Sequence, residues 1–434
     1  MERLWKKMGC GKVLKKGEII HRTCGDDKPR RHRRSGGDFH NSTGSNTTTK
    51  NKNLYINNRK GKIGQMKFTC EKLLLQDAIA SCIHAVSSKS TITALEGLLI
   101  TAGEQHVTLS AYNFKTAIIK HFDATVYKSG TFVLNARIFY DIVRKLPDDI
   151  IEITIEDNFT TTIKSGVSEY NIIATSADEF PELPSCSKRN GISIKNDVMK
   201  SLIDQTVFAV SDNETKPIHT GCLFEVKENL ITVVAVDGYR LALRKEEIEN
   251  ESGSEFKFVV PGDTLKDILR ILPENDESSV IYPDKKHALF EIDNTVVITR
   301  LLEGEFLDYN RAIPQSSAVN LTVDVKTIKE SIERVSLIIS ERLKNPIRCI
   351  FFDSSVKISC ITALGKAYDE APVSFCPEQI EIGFNNKYIM DALKACTDET
   401  VSLGLTDGVS PAVIRPTEGD KYVYMVLPVR LKQA

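Results

Sequence analysis

The sequence predicts an α+β protein built from three tandem copies of one unit, and three observations carry this prediction. From Met66 onward, two helical patterns recur in each copy. Between them run segments whose apolar and polar residues alternate as in half-buried strands. The residues that open the second helix of each copy, Asn135, Pro261 and Asn385, stand 126 and 124 positions apart. A repeat this long is a whole domain, for which we expect two helices and about eight strands.

Residues 1–65 precede the first copy and show no periodic pattern. They carry 17 Lys and Arg against 5 Asp and Glu and are rich in Gly, Asn and Thr, a composition that predicts disorder. The run KPRRHRR is compatible with a nucleic-acid-binding arm, whereas GCGK is only a fragment of a phosphate-binding loop. We favour a third interpretation, in which Met66 is the natural start and residues 1–65 are translated upstream sequence.

The first helix of each copy has apolar residues at helical spacing and ends in Ser. The three segments read EKLLLQDAIASCIHAVS (71–87), NDVMKSLIDQTVFAVS (196–211) and VKTIKESIERVSLIIS (325–340). A strand pair follows, then a strand that leads into the second helix, then another strand pair. This order divides the chain into domains at 66–188, 189–318 and 319–434.

Strand edges in such units must be paired or covered. Tandem copies meet this need when their sheets join edge to edge, and a row of three copies then leaves two edges for a partner. The six helical segments carry 16 basic and 11 acidic residues, although the body after residue 65 is acidic. The helices are therefore expected to face a polyanion, with chance scatter of surface charge as the alternative.

The sequence shows no signature of an enzyme, a metal site or a cofactor site. None of the ten cysteines forms a C-x-x-C pair, and we expect reduced, buried thiols rather than zinc ligands or disulfides. No nucleophile motif, phosphate loop or complete dinucleotide fingerprint is present. No apolar run approaches the length of a membrane span, so we expect a cytoplasmic protein without a membrane partner.

One short stretch, TVVAVDGYRLALRK (232–245), raises a specific question. Asp237-Gly238 between two apolar runs predicts a hairpin. A hairpin alone does not need the ring of Tyr239 and the guanidinium of Arg240 directly after the turn. These side chains are candidates for catalysis, for a docking surface or for an ordinary hairpin rim.

From Met66 to Leu431 the chain resembles the bacterial DNA polymerase III beta subunit family, the beta sliding clamps. The segments that carry the resemblance occur in the family's order: MKFT, EFPELP, VDGYRLA, LLEGEFLDYNRAIP, IGFNNKYIMDAL and YVYMVLPVRL. The resemblance implies three DNA-clamp (processivity-fold) domains, each with two helices inside and sheets outside. It also implies a head-to-tail homodimer that forms a six-domain ring around duplex DNA. It further implies a protein that is not itself an enzyme and that tethers the replicative DNA polymerase for processive chromosomal replication.

The resemblance also implies three sets of site residues. The residues expected to contact DNA are Lys89, Arg137, Arg144 and Lys216. The residues expected at the protomer interface are Tyr170 and Ile172 in the first domain and Leu337 and Ile338 in the third. The residues expected to line a cleft for partner peptides are Val236, Gly238, Tyr239, Arg240, Leu241, Leu307, Arg311, Asn385, Tyr388, Val409, Met425, Val426, Leu427, Pro428, Val429, Arg430 and Leu431.

The implied partners in that cleft are the DNA polymerase III alpha subunit, the clamp-loader complex and other proteins with a motif resembling Q-x-x-L-F. In this interpretation Tyr239 offers apolar area and Arg240 offers hydrogen bonds to the peptide. The chain departs from the family at His219 (usually aliphatic), Leu307 (usually Pro) and Ala312 (usually Val), so its cleft is expected to prefer somewhat different peptides. Two alternatives stay open: a three-domain hydrolase with an unrecognised site, and a monomeric DNA-binding repeat protein.

Overall fold

The computed structural model describes residues 65–147, 149–250, 253–340 and 345–431. The interpretations of residues 1–65 therefore lie almost wholly outside the described residues. Each of the three copies contains the two predicted helices, and the sheets run from copy to copy. The predicted α+β class and the threefold repeat are both confirmed.

The first copy contains the helices α1 (Lys72–Cys82) and α2 (Ala136–Lys145). Its strands are β1 (Met66–Glu71), β2 (Gly97–Ala102), β3 (His106–Tyr112), β4 (Thr116–Asp123), β5 (Thr125–Lys128), β6 (Gly130–Asn135), β7 (Ile150–Ile155), β8 (Thr160–Ser165), β9 (Ser168–Ile173) and β10 (Thr175–Ser176). The side chain of Asn135 accepts a hydrogen bond from the backbone N–H of Ile138 at 3.1 Å, and so caps α2.

The second copy contains α3 (Asn196–Val207) and α4 (Gly262–Ile271). Its strands are β11 (Ile192–Lys195), β12 (Gly221–Lys227), β13 (Leu230–Val236), β14 (Arg240–Glu247), β15 (Phe256–Pro261), β16 (Ser278–Pro283), β17 (His287–Ile292) and β18 (Thr295–Arg300). Pro261 stands directly before α4, where the missing N–H of proline costs the helix nothing.

The third copy follows the short helix α5 (Tyr309–Ala312) and contains α6 (Val325–Ser336) and α7 (Asn386–Ala395). Its strands are β19 (Val319–Asp324), β20 (Ile347–Thr362), β21 (Gly365–Phe384), β22 (Thr400–Leu405), β23 (Ala412–Pro416) and β24 (Tyr422–Val426). The sequence pattern places the end of the first helix at Ser340, but α6 ends at Ser336. The first helices of the other copies also end before the serines that close their patterns, α1 at Cys82 before Ser87 and α3 at Val207 before Ser211.

The sheets join the copies edge to edge, as the sequence predicts. At the first joint β4 pairs antiparallel with β18 inside a nine-stranded sheet, with Thr116 opposite Thr299. At the second joint β14 pairs antiparallel with β24 inside an eight-stranded sheet, with Arg240 opposite Val426. The backbone hydrogen bonds of two edges are thereby satisfied inside one chain.

One hydrophobic cluster runs through all three copies, from Met66 to Val426. It contains the inward side chains of both joints, such as Ile118 with Val297 and Ala242 with Tyr424. The copies are thus held by shared core as well as by strand pairing. Each joint therefore combines directional hydrogen bonds with apolar burial.

The eight described cysteines are unpaired, and six of them are buried. Burial raises the pKa of the Cys82 thiol to about 12, and of the Cys222 thiol likewise. These thiols are protonated and inert at neutral pH. Burial is as predicted for six of the eight positions, whereas Cys186 and Cys396 are half-buried. Cys10 and Cys24 lie outside the described residues.

Candidate docking cleft and nucleic-acid interface

The hairpin at 232–245 forms as predicted, and it lies at the second joint. Asp237 accepts hydrogen bonds from the backbone N–H groups of Tyr239 (2.8 Å) and Arg240 (3.0 Å). Gly238 adopts φ = +93°, a conformation that favours glycine. Strand β14 then leaves the turn and pairs with β24, so the hairpin tip lies beside the end of the third copy.

Arg240 is buried at this joint with 7% of its surface exposed. Its Nε donates to Asp237 Oδ2 at 3.0 Å, and its NH1 donates to Asp391 Oδ2 at 2.6 Å. Its NH2 donates to the backbone carbonyl of Phe208 at 2.5 Å. The guanidinium therefore ties β14 to α7 of the next copy and to the end of α3.

This arrangement changes the interpretation of Arg240 as a donor to bound peptide. The guanidinium also lies over the ring of Tyr388, 4.5 Å from its centroid, and over the ring of Phe208 at 5.5 Å. Because its contacts are internal, Arg240 shapes the cleft through Tyr388 and does not form an open wall. Asp391 and Phe208 are the partners that the sequence did not identify. They lie 151 and 32 positions from Arg240 in the chain, so no local sequence signal links them to it.

Tyr239 is the exposed part of the hairpin, with 48% of its surface accessible. Its ring stacks on that of Tyr388, with centroids 6.1 Å apart and planes 23° apart. Its carbonyl accepts the backbone N–H of Leu427 at 2.8 Å. The predicted neighbours Tyr239, Tyr388 and Leu427 therefore do come together.

The last described residues, 427–431, run from the second joint across the third copy. The backbone N–H of Val429 donates to the carbonyl of Gly383 at 2.8 Å. A methyl group built on Gly383 would lie 2.6 Å from the Val429 carbonyl and 2.7 Å from the Leu431 side chain. Only glycine allows this close approach, so the apolar tail is fixed along β21 and lies half-buried.

The remaining predicted cleft residues divide into two groups. Buried residues in the paired strands offer little or no surface to a ligand: these are Val236, Leu241, Met425 and Val426. Half-buried or exposed residues are available to a ligand: these are Gly238, Leu307, Arg311, Asn385, Val409, Pro428 and Arg430. Asn385 also caps α7 by accepting the N–H of Lys387 at 3.0 Å.

His219, one of the departures from the family, lies in the turn Pro217–Thr220. Its ring contacts that of Phe306 edge to face, with centroids 5.9 Å apart. Burial is the main cause that lowers the pKa of His219. The side chain is therefore neutral at pH 7 and packs as an aromatic group beside the segment that holds Leu307.

The four residues predicted to contact DNA are all exposed. Arg137 and Arg144 are seven positions apart on α2 and so share one face of the helix. Arg144 also lies 3.4 Å from Asp141, which screens part of its charge. Lys89 and Lys216 lie in loops that follow the first helix of their copies, α1 and α3.

The four predicted interface residues occupy edges of the first and third copies. Tyr170 and Ile172 lie on β9, the terminal strand of a five-stranded sheet. Leu337 directly follows α6 and is 84% exposed, while Ile338 is half-buried beside it. Exposed apolar groups of this kind on an open strand edge and a helix end are typical of an interface.

Two further findings concern metal clusters and membrane-spanning helices. Across the described residues, no cluster of three or more His, Cys, Asp or Glu side chains has the geometry to hold a metal ion. Within the same ranges, no helix combines the length and apolar character needed to cross a bilayer.

Three copies joined by continuous sheets, with the stacked rings of Tyr239 and Tyr388 at the second joint, define a repeat protein of the sliding-clamp class. Three family descriptions match it in order: the DNA polymerase III beta subunit N-terminal domain at residues 66–184, the central domain at 193–308 and the C-terminal domain at 310–430. The chain belongs to this DNA polymerase III beta subunit family.

Individual relatives agree with this placement. The chain is 33% identical over 376 residues to the beta sliding clamp of Bacillus subtilis (strain 168), covering 84% of this chain and 100% of the relative. It is also 33% identical over 380 residues to the beta sliding clamp of Halalkalibacterium halodurans, with the same coverage. The resemblance inferred from the sequence motifs is confirmed.

Solved structures show the same fold. The DNA polymerase sliding clamp from Bacillus subtilis superimposes with a TM-score of 0.81 at 32% identity, covering 85% of this chain and 100% of that one. A putative DNA polymerase III beta subunit from Eubacterium rectale gives a TM-score of 0.80 at 32% identity, covering 84% and 100%.

Proposed function

We propose that the chain acts as a DNA sliding clamp. Two copies form a head-to-tail ring that encircles duplex DNA and tethers the replicative polymerase during chromosomal replication. The clamp itself performs no catalysis and works in the cytoplasm. The proposed domain limits are 66–188, 189–318 and 319–434. The family matches cover 66–184, 193–308 and 310–430, so the proposed start of the third domain lies nine residues after the start of the match.

The proposal rests on how the strands at the sheet edges of neighbouring copies pair. At each internal joint, the second strand of one copy's hairpin pairs with the last strand of the next copy. These pairs are β4 with β18 and β14 with β24. In the described part of the chain, the corresponding third pair is unmade. Strand β9 ends its sheet, and residues 365–372 of β21 pair with β20 alone. A second copy supplies both missing partners, and the rotation closes after two chains.

The proposed contact of Tyr170 with Leu337 has an internal counterpart. Phe208 directly follows α3 as Leu337 follows α6. At the second joint the ring of Phe208 packs edge to face on that of Tyr424, with centroids 5.7 Å apart. Tyr424 lies on β24, whose place at the third joint is taken by β9 with Tyr170. The same helix end thus meets the same strand position in both cases.

The proposed DNA contacts suit a sliding tether. Lys89, Arg137, Arg144 and Lys216 are spread over two copies and carry flexible, solvated charges. Contacts of this kind attract phosphate without reading sequence. Each phosphate contact contributes about 0.9 to the slope of log affinity against log salt. We expect Arg137→Ala to reduce the magnitude of that slope by about 0.9, the contribution of one phosphate contact.

The proposed partners at the cleft are peptides with a motif resembling Q-x-x-L-F, from the DNA polymerase III alpha subunit, the clamp loader and other clamp-binding proteins. The half-buried tail and the rings of Tyr239 and Tyr388 supply apolar area for such a peptide. Arg311, whose side chain is largely exposed, stands at the rim beside Asp308.

The deciding experiment distinguishes a ring from a surface binder. The protein is assembled on nicked circular DNA with a clamp loader, washed at high salt, and the DNA is then cut once. A ring stays on the circle through the wash and leaves after linearisation, because its hold is topological. A monomeric DNA-binding repeat protein would leave in the wash, or would stay equally on both forms, and either result would overturn the proposal.

A further inference from the structure

The segment between β18 and the third copy, residues 301–314, carries two of the predicted cleft residues, Leu307 and Arg311. We call this segment the connector. Four of its residues form the short helix α5 (Tyr309–Ala312), and the others lie outside regular helices and strands. The position of the connector therefore depends on individual contacts with the two copies that it joins.

Buried and accessible side chains alternate along the connector. Phe306, Tyr309 and Ala312 stand three positions apart and are 7%, 7% and 8% exposed. Leu307 is half-buried, and the side chain of Arg311 is 84% exposed. One side of the connector therefore packs on the protein, and both predicted cleft residues lie where a ligand can reach them.

Tyr309 attaches the packed side of the connector to strand β12. Its hydroxyl donates a hydrogen bond to Oε2 of Glu225, which is itself 7% exposed. The other carboxylate oxygen of Glu225 lies 3.3 Å from Lys227 Nζ and 3.7 Å from Lys257 Nζ. The carboxylate thus has partners at both oxygens, as a buried charge requires.

The protonation states of the pair favour a strong hydrogen bond. Burial acts to raise the pKa of Glu225, but the hydrogen bond from Tyr309 and the neighbouring lysines outweigh it, so this pKa is lowered. Burial, followed by the bond to Glu225, raises the pKa of Tyr309. At neutral pH the tyrosine is therefore protonated and the glutamate is ionised. Such charge-assisted bonds are about twice as strong as neutral ones.

The bond lies between two other anchors of the connector. Before it, the backbone N–H of Leu302 donates to the carbonyl of Val259 in the second copy at 3.0 Å. After it, NH2 of Arg415 in the third copy donates to the carbonyl of Pro314 at 3.0 Å. Tyr309 therefore holds the middle of the connector, directly between the two predicted cleft residues.

We propose that Tyr309 is a positioning residue of the docking cleft. Its bond to Glu225 holds the connector so that Leu307 and Arg311 stand in one arrangement before a peptide arrives. A wall that is already ordered lowers the entropic cost of binding. Tyr309 is nearly buried, so its effect reaches the peptide through these two neighbours. The inference rests on the proposed docking of Q-x-x-L-F peptides and adds a hydrogen-bonded pair to that site.

Tyr309→Phe isolates the contribution of the hydroxyl, because phenylalanine keeps the buried ring and Glu225 keeps both lysines. The dissociation constant of a fluorescent Q-x-x-L-F peptide for the full chain is measured by anisotropy, and we expect it to rise about fivefold. The matched control is Tyr282→Phe in β16, which removes a hydroxyl bonded to Glu291 outside the connector and should leave the dissociation constant unchanged. An unchanged constant in the Tyr309 variant would overturn the positioning role.

Substitutions at Glu225 test the same bond from the strand. Glu225→Ala removes the acceptor and should weaken peptide binding by about the same factor as Tyr309→Phe. Glu225→Gln keeps an acceptor oxygen and should weaken binding less than about twofold. These variants also decide the question where Tyr309→Phe is too unstable to assay. Equal losses in the alanine and glutamine variants would show that the bond to Tyr309 is not what matters, and would overturn the inference.

A double-mutant cycle separates positioning from a general loosening of the fold. Tyr309→Phe is repeated in chains that carry Leu307→Ala or Arg311→Ala. Because the proposed effect runs through these two side chains, it should fall from about fivefold to less than about twofold in at least one of the two backgrounds. A general loss of structure would weaken binding by the same factor in every background, and that result would overturn the inference.

The outcomes also separate this inference from the proposed function. An unsubstituted chain that fails to bind the peptide would overturn the docking cleft itself. An unsubstituted chain that binds the peptide, together with a Tyr309→Phe variant of equal affinity, would overturn only the role of Tyr309.

Discussion

Arg240 shows how one side chain can hold two repeats together. It lies on β14 yet donates hydrogen bonds to Asp391 on α7 and to the carbonyl that ends α3. The contact of β14 with α7 and its contact with the end of α3 therefore both depend on the buried guanidinium of Arg240. Removal of one member of a buried ion pair leaves the other charge uncompensated.

We expect Arg240→Ala to lower the free energy of unfolding by about 3 kcal/mol, since Asp237 would remain nearly buried without its cation. Thermal unfolding in a calorimeter measures the loss. Arg300→Ala, at an exposed arginine 3.8 Å from Glu303, serves as the control and should cost less than about 0.5 kcal/mol. Similar losses in the two variants would contradict the role assigned to Arg240.

His121 gives the first copy an acid-sensitive position. Burial is the main cause that lowers its pKa to about 4, with His106 and Lys188 adding to the effect. Its Nδ1 lies 2.8 Å from the hydroxyl of Thr108. Between about pH 6.5 and pH 4, His121 is therefore protonated in the unfolded chain but neutral in the folded chain.

Stability contributed by neutral His121 is therefore complete above about pH 6.5 and is lost as the pH falls toward 4, by about 3 kcal/mol in total. His121→Gln removes this dependence. Urea unfolding of both proteins at several pH values between 7.5 and 4.5 measures the difference, which should shrink steadily on acidification. A constant difference across this range would rule out His121 as the titrating group.

At the level of single residues the sequence was a partial guide. The motif around Tyr239 and Arg240 pointed to the correct joint, because a hairpin turn and its flanking residues are local features. The burial of Arg240 was not predictable, since its partners Asp391 and Phe208 come from distant segments. Residues such as Leu241 and Met425 look like cleft lining in the sequence but lie in paired strands.

Among the elements, the tail at 427–431 links the hairpin tip to the third copy. It is fixed by two backbone hydrogen bonds, to Tyr239 and to Gly383. Leu427, Pro428, Val429 and Leu431 are apolar and half-buried, whereas Arg430 is exposed.

Deleting residues 427–434 should abolish binding of a fluorescent Q-x-x-L-F peptide and leave the dimer intact. The reason is that the tail forms one side of the proposed cleft and lies along β21, away from β9. Fluorescence anisotropy measures the first effect and sedimentation the second. Peptide binding that survives the deletion would place the docking site elsewhere.

Gly383→Ala offers a milder test of the same element. The added methyl group would collide with the backbone of Val429, so the tail must shift and we expect peptide affinity to fall about tenfold, as for a loss of about 1.4 kcal/mol. Gly103→Ala is the control, because its methyl group meets only ordinary van der Waals neighbours. Unchanged affinity in the Gly383 variant would mean that the tail position does not matter for docking.

The elements were the most predictable level of the structure. Helical spacing and strand alternation are encoded in adjacent residues, so both helices of every copy were found. The helix ends were less accurate, as at α6, where the apolar pattern continues beyond Ser336. Strands β20 and β21 are longer than the pattern suggests, because bulges near Asp353 keep two pairs of segments in one ladder.

For the whole molecule, the pairing of copies defines the assembly. The sequence predicted that the sheets of neighbouring copies join edge to edge, because open strand edges need partners. Their register could not, since it depends on residues far apart in the chain. The two edges left at β9 and at 365–372 lead to the proposed ring.

Replacing Leu337 and Ile338 together with Lys should yield monomers. In the proposed dimer the two charges would lie against Tyr170 and Ile172 of the second copy and lose hydration without a partner. Analytical ultracentrifugation measures the assembly state. The control replaces Leu73 and Leu74, a pair of adjacent helical leucines that are also accessible, with Lys and should remain dimeric. A dimer that persists in the first variant would refute the interface assignment.

The sheet order has a consequence for how the chain matures on the ribosome. Strand β14 comprises Arg240–Glu247, but its neighbour β24 comprises Tyr422–Val426 and is synthesised much later. Chains are synthesised from the N-terminus at a limited rate. One edge of β14 therefore stays unpaired while nearly two hundred further residues are translated. Bare edges recruit other strands. A nascent chain halted before residue 422 would leave this edge of β14 unpaired and would be a natural client for chaperones and proteases.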